Sequence, residues 1–260
     1  NYTLPFNYAD SRQFALEKLG TKADFGFWID AKNRLILPFN FDVSAFKRSI
    51  AGFDSAALQV SHNCLYQRKC IWKTSKPYYW WWYVHEAIQC RDSASETAID
   101  KNICHIEHNY DGFSSTSQAQ KEKYKRYVKL SLEFIKKYGE DTRSVFYLAQ
   151  NYKDVGTYEY QKKSIEWYRK RVSMGGGYQD EIYWSQFQIG VLKDALKANY
   201  LDVINEYLKC SDISDRRAEH FYQIIKVTLY VHLPSLQNQK SDFLIQSILL
   251  LSFPVFLEFR

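Results

Sequence analysis

The chain has 260 residues, 46% of them apolar and 17% aromatic, with a formal charge of +6. Its 21 Tyr, 17 Phe and 7 Trp exclude a disordered chain, and only 10 Gly and 5 Pro exclude collagen-like and low-complexity classes. The length suits one large domain or two smaller ones, and the modest charge excess favours anionic ligands such as nucleotide phosphates or an anionic membrane surface.

The pattern changes near residue 118. Before it, short apolar runs are separated by turn residues; after it come long amphipathic stretches. Ser11 to Leu19, with Phe14, Ala15 and Leu19 at helical spacing, reads as a helix. Phe25 to Ile29 reads as a buried strand that delivers Asp30 to its carboxyl end. Ala56–Val60 is a second strand candidate, the aromatic run Tyr78–Val84 a third, and the alternating Asn102–His108 a fourth, followed by an Asp111-Gly112 turn. Helix, strand and a carboxylate at the strand end imply an α/β layer. Asp30 can contact a ribose or a phosphate-held metal there, or simply end a strand.

His85-Glu86 follows the aromatic run. A shielded Glu86 has its pKa raised toward the working range of a general base, and flat rings such as Trp82 can support a sugar. The alternative is a buried aromatic strand with polar edge residues. In the Asn102–His108 strand, period 2 sets His105 with Glu107 and His108 on the other face, beside the turn.

The second part reads as helix pairs. Tyr124, Val128, Leu132 and Ile135 share a face, and Gly139 ends that helix. Asp141 caps the next, which runs to Gly156; Ser164, Ile165, Tyr168 and Val172 mark a third, ended by Gly175-Gly176-Gly177. Further helices fit Asp180–Ala198, Tyr200–Lys209 and Arg217–Val231. Leu148, Ala149, Tyr152 and Gly156 match the first helix of a tetratricopeptide repeat, with Ala149 in the small-residue place.

The five cysteines, Cys64, Cys70, Cys90, Cys104 and Cys210, include no C-x-x-C pair. Reduced thiols in a cytoplasmic protein are expected; a disulfide, or a metal site using His105 or His108, is the alternative. The densest basic run, Lys121–Arg126, contains Glu122 and follows a helical pattern, so nucleic acid is not an expected partner. Phe243–Phe259 is mostly apolar but short for a membrane span, and reads as a buried terminal helix; a membrane-contacting tail is the alternative.

Several motifs together resemble an inverting glycosyltransferase of the family-2 type with a GT-A fold and a tetratricopeptide-like tail. Asn7–Gln13 resembles the family's F-x-x-A-x-R-N element, Asp24–Asn33 its D-(apolar run)-D-A-D element, Val84-His85-Glu86 its V-H-E, and His108–Gly112 its H-x-x-D-G. In the tail, Arg143–Tyr152, Trp167–Arg171, Gly176–Ser185 and Arg217–Glu219 sit as the family has them. The resemblance implies an α/β fold, a partial GT-A Rossmann-like layer over 1–117, then all-α tetratricopeptide-like repeats over 118–240 and an apolar tail over 241–260.

It also implies roles. Arg12, Asp30 and Lys32 would bind the nucleotide-sugar donor, Glu86 would be the catalytic base, and Trp82 and His85 would meet a glycan acceptor. A divalent metal, Mn or Mg, would be held by Asp30 and His108. Lys32 stands where the family's D-x-D element has its second acid, so either its ammonium replaces the metal's charge or the site is degenerate. The family's leading I-V-K-N-E and D-x-G-S-x-D segments are not in the chain, which implies the acceptor-side half of the catalytic domain. A non-catalytic repeat scaffold binding a protein partner is the alternative function.

Overall fold

A computed structural model describes residues 6–61, 65–108 and 117–232. Cys64, the Asn109–Gly112 turn, the His108 side chain and the apolar tail lie outside that description. The chain forms two compact units that divide after Lys137. The helical pattern begins near 118, but its first helix, α3 (Ser117–Tyr138), goes almost entirely with the first unit.

The first unit is α/β. It opens with α1 (Tyr8–Leu19), capped by the Asn7 side chain, which accepts from the Asp10 N–H at 2.8 Å. Then come β1 (Phe25–Phe27), β2 (Asn33–Ile36), α2 (Val43–Ala51), β3 (Ser55–Ser61), β4 (Leu65–Lys73), β5 (Tyr78–Trp81), β6 (Ala87–Cys90), β7 (Glu96–Ala98) and β8 (His105–His108). The main sheet runs β1-β4-β3-β8-β2, with β7 also on β3. It is mixed: β3 pairs in parallel with β7 and β8, and the other pairs are antiparallel. The expected strand through Tyr78–Val84 stops at Trp81, because β5 and β6 form a separate antiparallel hairpin.

Two apolar clusters flank this sheet. One gathers Ile50, Ala56, Leu58, Val60, Cys70, Ile71, Cys104 and Ile106. The other gathers Ala9, Trp72, Tyr78, Trp80 and Ile88, with Trp28 against it. Gly26 in β1 makes the second possible, since a Cβ there would lie 2.6 Å from the Trp72 ring. Phe14 and Ala15 of α1 are exposed, contrary to the expected apolar face; the helix turns Ala9, Leu16 and Leu19 inward, with Arg12 and Gln13 half-buried beside them. Similarly Leu132 is exposed in α3, and Phe134 is buried instead, edge-on to Trp81 and Tyr83.

The second unit is helical: α4 (Thr142–Val155), α5 (Tyr158–Met174), α6 (Gln179–Ala195), α7 (Tyr200–Leu208) and α8 (Glu219–His232). Each packs on its neighbour in the chain. Asp141 and Ser144 form a capping box at the start of α4, and Gly156 takes a left-handed φ of 77° at its end. Ala149 is fully buried and its carbonyl accepts from the Ser164 hydroxyl at 2.7 Å, so small residues bring α4 and α5 close. Gly190 does the same for α6 and α7, where a Cβ would lie 2.6 Å from the Tyr207 ring. Among the described residues no helix is long and apolar enough to cross a membrane.

Candidate functional site

Three residues far apart in the sequence meet on one guanidinium. Arg12 Nη2 lies 2.9 Å from Asp30 Oδ1 and 2.6 Å from Glu86 Oε1. The guanidinium carbon also sits 4.7 Å from the Trp28 ring centre and 4.9 Å from that of Trp80. A cation held between two carboxylates and two indoles is fixed in place.

Each partner has a local origin. Arg12 is brought in by α1, where Gln13 Oε1 accepts from the Trp80 N–H at 3.0 Å and ties the helix to β5. Trp80 is held edge-on by Trp28 and Trp72, the latter admitted by Gly26. Asp30 is not at the end of a buried strand as expected. β1 ends at Phe27, and Asp30 lies in the turn before β2, where its carbonyl accepts from the Asn33 N–H at 2.8 Å. Glu86 closes the β5–β6 connection, in which Trp82 and His85 take left-handed φ values of 61° and 53°. Two bulky residues in that region within one short turn are a stored cost of order 1–3 kcal/mol each.

Asp30 has a further partner. Arg68 Nη1, from β4, lies 3.0 Å from Asp30 Oδ2, and the Trp28 Nε1–H donates to Oδ1 at 3.0 Å. The two carboxylates are therefore unlike. Burial raises the Asp30 carboxyl, but Arg12, Trp28 and Arg68 together outweigh it and hold it below the usual range. Burial also raises Glu86, and there Arg12 only partly offsets it, so Glu86 stays above the usual carboxylate range. A pair of carboxylates pushed apart in this way can divide roles, one holding charge and the other exchanging a proton.

Tyr127 of α3 closes the side of the cluster. Its ring is edge-on to His85 at 5.7 Å and to Tyr8 at 5.7 Å. Burial, the Tyr8 hydroxyl and the charge of Glu86 push its phenol far up, so it is a neutral donor at ordinary pH.

Of the residues singled out in the sequence, Arg12, Asp30 and Glu86 come together directly. His85 and Trp82 lie in the same connection as Glu86. His108 ends β8 opposite Asn33, three residues past Asp30. Lys32 is exposed in the β1–β2 turn, and no ion pair joins it to Asp30 among the described residues. Arg68, Trp28 and Tyr127 join the site without a sequence motif that marks them; the strand Leu65–Lys73 that carries Arg68 lacks a regular alternation of apolar and polar residues.

The donor set does not fit the divalent metal that the resemblance implies. Both Asp30 oxygens already face guanidinium groups, whose charge opposes a metal ion at the same carboxylate. Among the described residues no three His, Cys, Asp or Glu side chains group as metal ligands. The thiols behave alike: Cys70, Cys104 and Cys210 are free and buried, and burial pushes Cys70 and Cys104 up to about 11 and Cys210 to about 12.

No protein-family model matches the chain, and no curated protein matches it. The site must therefore be read on its own chemistry.

Proposed function

We propose that the first unit is part of an inverting glycosyltransferase in which Glu86 is the base. The observation that carries this is the largely buried Glu86 carboxyl beside Arg12, raised by its surroundings while its neighbour Asp30 is held ionised. The motifs carrying the family resemblance supply the reaction class. In that reaction Glu86 takes the proton of an acceptor hydroxyl as the oxygen attacks the anomeric carbon of a nucleotide sugar. The nucleoside diphosphate departs with the bonding electron pair, and the new glycosidic bond has inverted configuration. Cationic side chains, rather than a metal, meet the charge that grows on the leaving group. In this reading Trp82 and His85 meet the acceptor, and Arg12 holds the two carboxylates in register.

Under this reading the helices α4–α8 are degenerate tetratricopeptide-like repeats. The Ala149–Ser164 contact is the small-residue seam such a pair needs. The second reading, a protein-binding scaffold, draws on exposed rings of that unit such as Tyr158 and Tyr178.

Isothermal titration with UDP-glucose and with GDP-mannose, each with and without manganese, tests the first reading. Binding of one donor without manganese is expected, together with slow donor hydrolysis that Glu86→Gln abolishes while leaving binding in place. Absence of binding to a panel of such donors, or hydrolysis unchanged in Glu86→Gln, overturns it.

A further inference from the structure

Arg68 is the charged member of the cluster whose hydrogen-bonding capacity is not used up among the described residues; the Trp80 Nε1–H is also without a partner there, but it is a single neutral donor. Its Nη1 is taken by Asp30 Oδ2 at 3.0 Å. Its Nε and Nη2 are buried and neither has a hydrogen-bond partner among the described residues. These two donors lie along one edge of the planar group and point the same way, which is the fork that grips two oxygens of one anion. Asp30 fixes the plane from the opposite side, so the fork is already oriented.

The other cations nearby are committed or remote. Arg12 is held by two carboxylates and two indole faces. Lys69, next to Arg68, pairs with Glu96 at 2.6 Å. Lys32 is exposed and unlinked to the carboxylates. A buried donor pair without acceptors is unfavourable, so an anion that reaches this edge relieves a cost already present in the fold.

We propose that Arg68, rather than Arg12 or Lys32, binds a paired-oxygen anion, phosphoryl or carboxylate, through its Nε–H and Nη2–H edge. The choice of candidate anions rests on the glycosyl-transfer reading: phosphoryl oxygens belong to the leaving diphosphate, and a carboxylate belongs to an acidic sugar acceptor. The fork itself stands without that reading.

The test is calorimetric titration of the full chain with inorganic pyrophosphate and, in a separate arm, with glucuronate. Wild type, Arg68→Lys and Arg68→Gln are compared, with circular dichroism as the check on folding. One of the two anions is expected to bind wild type. Binding weakens by about tenfold or more in Arg68→Gln, and in Arg68→Lys too, because an ammonium keeps the charge but loses the fork. Pyrophosphate as the bound anion assigns the leaving-group oxygens, and glucuronate an acidic acceptor. Should Arg68→Gln fail to fold, Arg68→Lys carries the comparison.

Wild-type affinity for both anions too weak to measure overturns the proposal, as does undiminished affinity in Arg68→Lys. The two readings fail separately. Pyrophosphate binding through Arg68 with no sugar nucleotide bound leaves the fork and removes glycosyl transfer. A sugar nucleotide bound equally by wild type and Arg68→Lys does the reverse.

Discussion

Each unit has an arginine with buried guanidinium nitrogens, Arg171 wholly buried and Arg68 only partly so, and the two are used in opposite ways. In the helical unit Arg171 is fully buried, and each nitrogen of its guanidinium has an acceptor. It donates to Glu181 Oε2 at 3.4 Å, to the Gly175 carbonyl at 3.2 Å, to the Gly176 carbonyl at 3.1 Å and to the Tyr178 carbonyl at 3.3 Å. It thereby fastens the Gly175–Gly177 turn, whose three residues all take positive φ. In the α/β unit Arg68 has one hydrogen-bond partner, Asp30, and its Nε and Nη2 have none among the described residues. An arginine whose nitrogens all have acceptors serves stability; one that keeps unpaired donors beside a carboxylate cluster is the pattern expected of a binding group.

The contrast predicts unequal costs. Arg171→Met leaves the Glu181 carboxylate and three turn carbonyls without their donor, and should destabilise the helical unit by roughly 3–5 kcal/mol, read as a fall in the urea midpoint. Next comes Gly26→Ala. Its Cβ would meet the Trp72 ring at 2.6 Å, so the indoles behind Arg12 must shift. A cost of about 1–3 kcal/mol is expected, with lost anion binding even where the protein stays folded. Arg68→Gln should cost no more than about 1 kcal/mol, because it removes one half-exposed ion pair together with two unsatisfied donors. A loss as large as that of Arg171→Met would erase the distinction between the two arginines.

The smallest effect is one of pH. Glu86 has a raised pKa in the fold, so its contribution to stability is fully present below its unfolded value and is lost as pH rises through the folded one. Asp30, held low, acts oppositely: its contribution is present above the unfolded value and is lost as pH falls. Urea midpoints taken from mildly acid to neutral pH should therefore decline for wild type relative to Glu86→Gln. Parallel curves would show that Glu86 is not raised.

How much of this the sequence displayed follows from what kind of signal each part leaves. The helical unit was almost fully legible, because periodicity, the Asp141 cap and the glycine stops are local. The mixed sheet was only partly legible. β4 has a bulge: Ile71 pairs with Ala56 and Arg68 with Leu58, so residues three apart on one strand oppose residues two apart on the other. That breaks the alternation by which a strand is recognised, and it concealed Arg68. The composition of the aromatic run favours one long strand, whereas Trp82 and His85 turn the chain by taking backbone angles their residue types disfavour. Asp30 and Glu86 stand out in the sequence because each follows an apolar run, and Arg12 through motif resemblance; their meeting on one nitrogen is a tertiary fact that no spacing encodes.

Gly26 and Trp72 leave one further consequence, for how such a sequence can drift. The missing side chain at one position and the large ring at the other fill a single space between β1 and β4. Neither can change size alone without disturbing Trp80 and, behind it, Arg12. The two positions are therefore expected to vary as a pair, small with large or medium with medium, and pairing Gly26→Ala with Trp72→Phe should restore much of what either loses singly.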